Sequence, residues 1–388
     1  MTTKTWVRIV RGEDRTTALR QAVGDGLRAV ITPGDTVVLK PNLNGADIRG
    51  AQIAVPLASI AATCQMLREA GASEIFVVED LSKHCPTLRL FEESGLAPLE
   101  DMPGVHLAAL EEGTFVEVHP QGGLLRRSFH LAELPLRANK VISLTTLKTH
   151  HQVGATVSLK NLYAFFPNEE KSLWHRIDLD KAIVDLNLVR TADFTIVDAF
   201  VAHEGLGPRR GKPVPMGLMF AGPDPVAADT IGAMLMGIDP AGIRHIAWAA
   251  ARGLGTNRLD EIAVEGLPVR AVARPFQTNL GHLNELLAGQ AAVLAGANCN
   301  GCIGATVTAM HIGYFRFGHK PSDFAGLKVC IGDVAGITDD ARTLWVSDHV
   351  RSPVPPERFV PGDPPTVTAV WQAVCRLMGL GDGSRSWF

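Results

Sequence analysis

The sequence predicts an α/β protein with a largely parallel, doubly wound sheet and a second, smaller α/β domain at the C-terminal end. Short β-branched runs alternate with helical periodicity through the first two thirds of the chain, and the runs end in polar residues. The pattern then breaks between Pro268 and Pro275 and resumes. A length of 388 residues also favours two domains. We place them at residues 1–270 and 276–388.

Taken in order, Thr36 to Asn42 reads as a strand ended by Pro41, which leaves Lys40 and Asn42 at its carboxyl end. Ile53 to Gly71 has helical periodicity with Gly71 as its stop, and Glu74 to Asp80 is the next strand, completing a β-α-β unit. Leu88 to Ser94 reads as a short helix stopped by Gly95, with strands at Val105 to Leu110 and Phe115 to Val118. Val141 to Leu144 is an apolar run of the kind that forms a buried parallel strand. Asp178 to Val189 is an amphipathic helix, and Phe194 to Asp198 a strand leading into a loop that carries His203, Glu204 and Gly205. Met216 to Ala221 is a strand, after which Asp224 caps a helix with Pro225 in its first turn.

Composition excludes several classes. The chain is 46% hydrophobic and 20% charged, with a net charge of −3. It has no basic excess for nucleic acid or acidic lipid, and no uncharged apolar stretch long enough to span a bilayer. Nucleic acid and membrane are therefore not expected as partners, and a cytoplasmic location is. Six cysteines are too few for a disulfide scaffold, which points to metal, redox chemistry or burial.

The chemistry concentrates in Lys148-Thr-His-His151, followed by Leu159-Lys-Asn-Leu162. The cluster stands where the Val141 to Leu144 strand is expected to end, and ligands of open α/β sheets collect outside such ends. Cations and imidazoles there suit an anionic ligand or a metal; the competing reading is a solvated loop. Lys40, Asn42, Asp80, Lys148, His150, Asp198, Glu204 and Asp224 all fall at or beyond expected strand ends and imply one rim. Helix capping competes with catalysis for Asp198 and is the preferred role for Asp224. No dinucleotide, Walker or nucleophile-elbow pattern follows an expected strand.

Lys40-Pro-Asn42, Leu147-Lys-Thr-His150, Leu159-Lys-Asn-Leu162, the Asp198 to Gly211 segment and Asp224-Pro-Val-Ala-Ala-Asp229 resemble the signature blocks of the domain of unknown function 362 family. The likeness runs from about residue 35 to 266. It implies an association with iron-sulfur proteins, because many such chains carry a ferredoxin-like region with two cluster motifs. This sequence lacks that region and has no Cys-x-x-Cys-x-x-Cys-x-x-x-Cys run.

In its place, Leu280 to Ala297 reads as a helix delivering Cys299 and Cys302, followed by a helix over Ile303 to Phe315. Cys330 ends a strand over Leu327 to Gly332, Thr343 to Ser347 is another strand, and Val367 to Met378 a helix. A Cys-x-x-Cys places two thiolates on one soft metal, and Cys330 comes from a neighbouring element. Gly362-Asp-Pro-Pro365 is similar to the Gly-Cys-Pro-Pro turn that supplies a cluster ligand in hydrogenase small subunits, with Asp363 in the cysteine's place. The expected cofactor is a 4Fe-4S cluster on Cys299, Cys302, Cys330 and Asp363. Zinc is the rival, completed by His311, His319 or Asp363. Cys64 and Cys375 are expected in the core.

The resulting expectation is an iron-sulfur enzyme, an oxidoreductase or lyase, acting on a small anionic substrate. Lys148 and Lys160 hold substrate charge, His150 or His151 transfers a proton, and Glu204 is the partner acid or base. Lys40, Asn42, Asn161, Asp198 and His203 complete the binding rim. An external electron donor and a homo-oligomer are compatible partners. A non-redox enzyme with zinc or no metal, and a metal-delivery protein, are the alternative classes.

Overall fold

A strand made almost wholly of Val, Ile and Leu is stable only where both its faces are covered, and the short apolar runs of this chain are used in that way. The computed structural model describes residues 5–43, 53–80, 86–125, 127–296, 300–351, 353–381 and 383–384. Its strands are β1 (Thr5–Arg11), β2 (Thr36–Pro41), β3 (Glu74–Glu79), β4 (Val105–Ala109), β5 (Phe115–Val118), β6 (Phe129–Ala132), β7 (Lys140–His150), β8 (Gly154–Thr156), β9 (Phe194–Leu206), β10 (Arg210–Gly222), β11 (Ile262–Gly266), β12 (Ala292–Ala295), β13 (Lys328–Ile331), β14 (Thr343–Val346) and β15 (Phe359–Val360).

Nine of these form one sheet in the order β11-β1-β10-β9-β7-β2-β3-β4, with β8 paired to β7. Only β10 and β8 run against the others. Alternation divides the two faces: Val37 and Leu39 enter one apolar cluster and Val38 the other. The first crossover helix, Leu57–Ala70, ends at Gly71, whose φ of 109° is left-handed and lets the chain turn back against Pro33. β5 and β6 pair with each other as a separate antiparallel ribbon.

Three expectations change. β7 does not stop at Leu144; it runs to His150, so the Lys-Thr-His segment is strand rather than loop. Pairing to β9 continues as far as Lys148 opposite His203, and β8 pairs Lys148 to His150 on the other edge. Interleaved threonines keep the strand preference through the charges. Similarly, the residues after Asp198 form a hairpin: β9 extends to Leu206 and pairs with β10 from Arg210 onward. Finally, Leu280 to Ala297 is not one helix. A helix over Asn279–Leu286 gives way to β12, because Ala288 and Gly289 take positive φ angles of 49° and 74° that no α-helix continues through.

β12 to β15 form a second, all-parallel sheet, backed by the helices Asn300–Phe315 and Val367–Met378. Leu206, at the tip of β9, is fully buried in this second core. The long hairpin therefore joins the two sheets, supported by Leu206 N–H donating to His282 Nδ1 at 3.0 Å and by the Lys212–Glu285 ion pair at 2.9 Å. The Asn300–Phe315 helix lies directly on the end of β7: a Cβ on Gly304 would stand 1.7 Å from the Gln152 carbonyl oxygen. Backbone cannot yield there as a flexible side chain would. Gly304→Ala is expected to lower stability by about 1–3 kcal/mol, read by denaturant unfolding, whereas the same change at the open Gly289 tests the control case of a left-handed residue with nothing within 4 Å.

Candidate functional site

The carboxyl ends of β2, β3 and β7 lie side by side, and each delivers a charged residue into the interior. Lys40 and Lys148 are 1% and 0% exposed. Lys40 donates to Glu79 Oε2 at 2.9 Å, an ion pair inside the protein. Lys148 has no carboxylate partner among the described residues: its ammonium donates to Asn42 Oδ1 at 2.6 Å and to the Ile53 carbonyl at 2.9 Å. Lys160, on the short helix Ser158–Asn161, lies over the Tyr163 ring at 4.9 Å from its centroid.

The scaffold that fixes these side chains is itself polar and satisfied. Asn161 donates to the Lys40 carbonyl at 2.9 Å and to Ser143 Oγ at 3.0 Å, and accepts from Asn42 Nδ2 at 3.0 Å. Asp229 accepts from Ser158 N–H at 2.7 Å and Leu159 N–H at 3.3 Å, so it caps the helix that carries Lys160. Burial pushes the Asp229 carboxyl up to about 8. Asn42 and Asn161, expected in the rim, are thus parts of the frame that positions the lysines.

Electrostatics follow from burial. Desolvation, then the charges of Lys160 and Lys40, bring the Lys148 ammonium down to about 7 although Glu79 acts in the opposite sense. Burial, then Lys40, brings Lys160 to about 8 against the pull of Asp180. Near neutral pH, Lys148 and Lys160 therefore exchange protons readily, and an arriving anion favours their charged forms.

Histidines line the same place. His150 and His151 stack at 4.6 Å between centroids, and His151 stacks on His311 of the Asn300–Phe315 helix at 5.0 Å. All three are held neutral, chiefly by burial: His150 well below its usual value, His151 at about 4 and His311 at about 3. Their backbone partners fix two tautomers. His150 Nδ1 accepts from Gln152 N–H at 3.1 Å, which puts its proton on Nε2. His151 Nδ1 faces the Gly207 carbonyl at 2.9 Å and must donate to it, which leaves Nε2 as an acceptor. The pair thus offers one proton donor and one acceptor.

Other predicted residues are engaged elsewhere. Asp198 is bound by Arg15 Nη1 at 2.6 Å and Ser59 Oγ at 2.7 Å, so its charge is already compensated. Glu204 accepts from Gln277 N–H at 2.9 Å and anchors the connection to the second sheet. His203 is buried, opposite Lys148 in the β7–β9 register. Asp224 caps its helix through Val226 and Ala227 N–H, as expected. Asp80 pairs with Lys171 at 2.7 Å.

Several residues escaped the sequence reading. His175 donates from Nδ1 to the Lys171 carbonyl at 2.7 Å and packs edge-on to Tyr163, and burial lowers it to about 3. His245 is fully buried, with Nδ1 2.8 Å from Asp180 Oδ1. Both stand on helices with no motif around them; the carboxylate that orients His245 lies 65 residues away in sequence.

The expected metal ligands assemble only in part. Cys302 is fully buried, its Sγ 3.7 Å from Asp363 Oδ1, and Asp363 also faces His349 Nε2 at 3.2 Å. Cys330 is buried within β13, where desolvation pushes its thiol up to about 11. Cys299 lies outside the described residues. Among the described residues, no group of three or more His, Cys, Asp or Glu side chains is placed to hold a metal ion. His311, weighed as a zinc ligand, instead stacks on His151, and His319 pairs with Asp323 at 3.2 Å. Cys64 and Cys375 are buried in the apolar cores. Among the described residues no helix is long and apolar enough to cross a membrane.

Lys148 makes the electrostatic account testable. Its ammonium titrates near 7 when folded and near 10.5 when unfolded, so below pH 7 both states are protonated and the folded state bears the full desolvation cost. Across the window from 7 to 10.5 the unfolded chain holds the extra proton, and stability rises with pH. Lys148→Met is therefore expected to stabilise the fold by about 2–4 kcal/mol at pH 6, with the gain shrinking as pH rises through that window. Urea unfolding of both proteins at several pH values measures it.

Comparison with known proteins adds a family. The chain is 31% identical over 242 residues to a thylakoid-associated protein of Synechocystis, a match covering 60% of this chain and 72% of that one. The lactate racemase apoprotein of Thermoanaerobacterium thermosaccharolyticum is a similar solved structure, with a TM-score of 0.39 and 9% identity over 84% of this chain and 69% of that one. The family model for DUF362, a domain of unknown function, matches residues 37–234, which include the three lysines, His150, His151 and His175 but not His245, His311 or the cysteines of the second sheet. The α/β chain with this lysine and histidine site belongs to the DUF362 family.

Proposed function

We propose that the chain is an enzyme that binds a small anionic substrate at the carboxyl ends of β2 and β7 and moves a proton on it. The observation that carries this reading is the pairing of Lys148 and Lys160, neither held by a carboxylate hydrogen bond among the described residues, with two stacked neutral imidazoles of opposite tautomer. Lysines kept for structure alone gain by pairing with carboxylates, as Lys40 does with Glu79. Lys148 and Lys160 hold the substrate's charge, His151 Nε2 takes a proton and returns it to the leaving group, and the Nε2–H of His150 hydrogen-bonds that group. Elimination, or addition in reverse, is the chemistry that these groups perform unaided. Glu204 is left out of it by its bond to the Gln277 backbone.

The iron-sulfur reading, with reduction as its chemistry, is supported by one contact, that of Cys302 with Asp363. The two would hold part of a cluster or a zinc ion together with Cys299, and a cluster would supply electrons or a Lewis-acidic iron. A protein purified without oxygen is expected to contain about four irons and four sulfides, lost in Cys302→Ala; about one zinc, or no metal after reconstitution, removes the redox chemistry and leaves the proton transfer.

Calorimetry with inorganic phosphate as a probe anion tests the site itself. Binding is expected to be accompanied by proton uptake at pH 8, to weaken above that pH as Lys148 and Lys160 lose their protons, and to fall by about tenfold or more in Lys160→Ala. Unchanged affinity in a folded Lys160→Ala protein takes Lys160 out of the site.

A further inference from the structure

The three lysines of the site are not equivalent, and the holding of charge does not explain the difference. Lys40 donates to Glu79 and to the Pro41 carbonyl, and Lys148 donates to Asn42 and the Ile53 carbonyl. Lys160 Nζ has no hydrogen-bond acceptor among the described residues, lies over the face of Tyr163, and belongs to the one residue of the three that is not fully buried. Its backbone, by contrast, is clamped. Asp229 caps the start of its short helix, Asn187 Nδ2 donates to the Leu159 carbonyl at 3.0 Å, and Asn161 is tied to β2 and β7. The chain thus fixes where the Lys160 side chain starts and leaves its amine unengaged.

An ammonium meant only to hold an anion is best oriented by acceptors on its other hydrogens, as in Lys148. A nucleophilic amine has the opposite needs: a lone pair not already committed, a nearby positive charge and a desolvated site to keep it unprotonated, and access for a substrate. Lys160 meets these needs, with Lys40 as the neighbouring charge and burial bringing its ammonium to about 8.

We propose that Lys160 is a nucleophile that forms an imine with a substrate carrying both a carbonyl and an anionic group, of which a 2-oxo acid is the simplest kind. This rests on the anion site proposed above: Lys148 holds the anionic group while the carbonyl carbon faces Lys160 Nζ. The amine adds to the carbonyl carbon, the oxygen takes a proton and the nitrogen gives one up, forming a carbinolamine. The C–O bond then breaks, the nitrogen lone pair forms the C=N bond, and one water leaves. His151 Nε2 takes the proton from nitrogen and returns it to the departing hydroxyl, while the Nε2–H of the neutral His150 ring hydrogen-bonds that oxygen. No oxidant or reductant enters. The imine draws electrons from the adjacent carbon and acidifies its C–H, which is the activation that elimination requires.

The test is trapping in the wild-type protein with sodium cyanoborohydride and pyruvate, then glyoxylate, followed by intact-mass and peptide mass spectrometry, with phosphate binding measured on the same preparation. The expected result is one reduced adduct per chain, on Lys160, formed at least tenfold faster than on surface lysines, suppressed by saturating phosphate and absent in Lys160→Gln. Adducts scattered over surface lysines, or placed on Lys148, overturn the imine while intact phosphate binding leaves the anion site standing. Loss of both trapping and phosphate binding overturns the two together. Because the adduct is mapped in the wild-type protein, the test holds even where the variant fails to fold.

Discussion

Positive charge held out of water without a matching carboxylate is the constraint to which the rest of this structure is fitted. Lys148 is wholly enclosed, and its nearest acceptors are an amide oxygen and a backbone carbonyl. Uncompensated burial of an ion costs several kcal/mol, so the surroundings must be stiff enough to prevent the strand end from relaxing toward solvent. They are. β7 is paired on one side by β2 and on the other by β9, and its end is further paired by β8. Asn42, Asn161 and Ser143 form a closed set of hydrogen bonds around it, and Asp229 holds the next turn.

The imidazoles obey the same logic with the opposite outcome. Placed among cations and away from water, His150, His151 and His311 lose the charged form, and in the first two a hydrogen bond to a backbone group decides where the remaining proton sits. A donor and an acceptor side by side arise because the backbone turns after His150, offering Gln152 N–H to one ring, while the hairpin end offers the Gly207 carbonyl to the next. Neither backbone group titrates, so the assignment holds across the neutral pH range.

Much of the fold was legible from alternation and punctuation. Strand ends at Pro41, the Gly71 stop and the Asp224 cap with Pro225 are local devices whose physics is complete within a few residues. The failures were of a different kind. Charges inside β7 and β9 read as loop because a charged residue in a central strand is costly unless tertiary structure encloses it, and that enclosure comes from β8 and from the second sheet. The helix drawn over Leu280 to Ala297 failed because Ala288 adopts a left-handed conformation that its side chain does not advertise. Within the site, Lys148, Lys160, His150 and His151 were found as a sequence cluster, and Lys40 as the end of a separate strand. His175 and His245 stand on helices with no local signal, and His311, weighed only as a zinc ligand, is brought to the imidazoles by a helix of the second sheet. Glu204 read as an acid or base and Asp198 as part of the binding rim, but only the three-dimensional structure reveals the Gln277 and Arg15 partners that occupy them.

The contact between the Gly304 backbone and the Gln152 carbonyl has a bearing on how such a chain diversifies. The lysines stand on the large sheet, whereas one ring of the imidazole stack and the helix that seals it belong to the C-terminal sheet. The charge-bearing strand ends and the helix laid over them therefore come from separate parts of the chain. Recombination that exchanged the C-terminal third would preserve the buried lysines and replace the helix that covers them. Such a swap would succeed only where the incoming helix presents a residue without a side chain at the point of closest approach, so a single glycine acts as the compatibility key between the two halves.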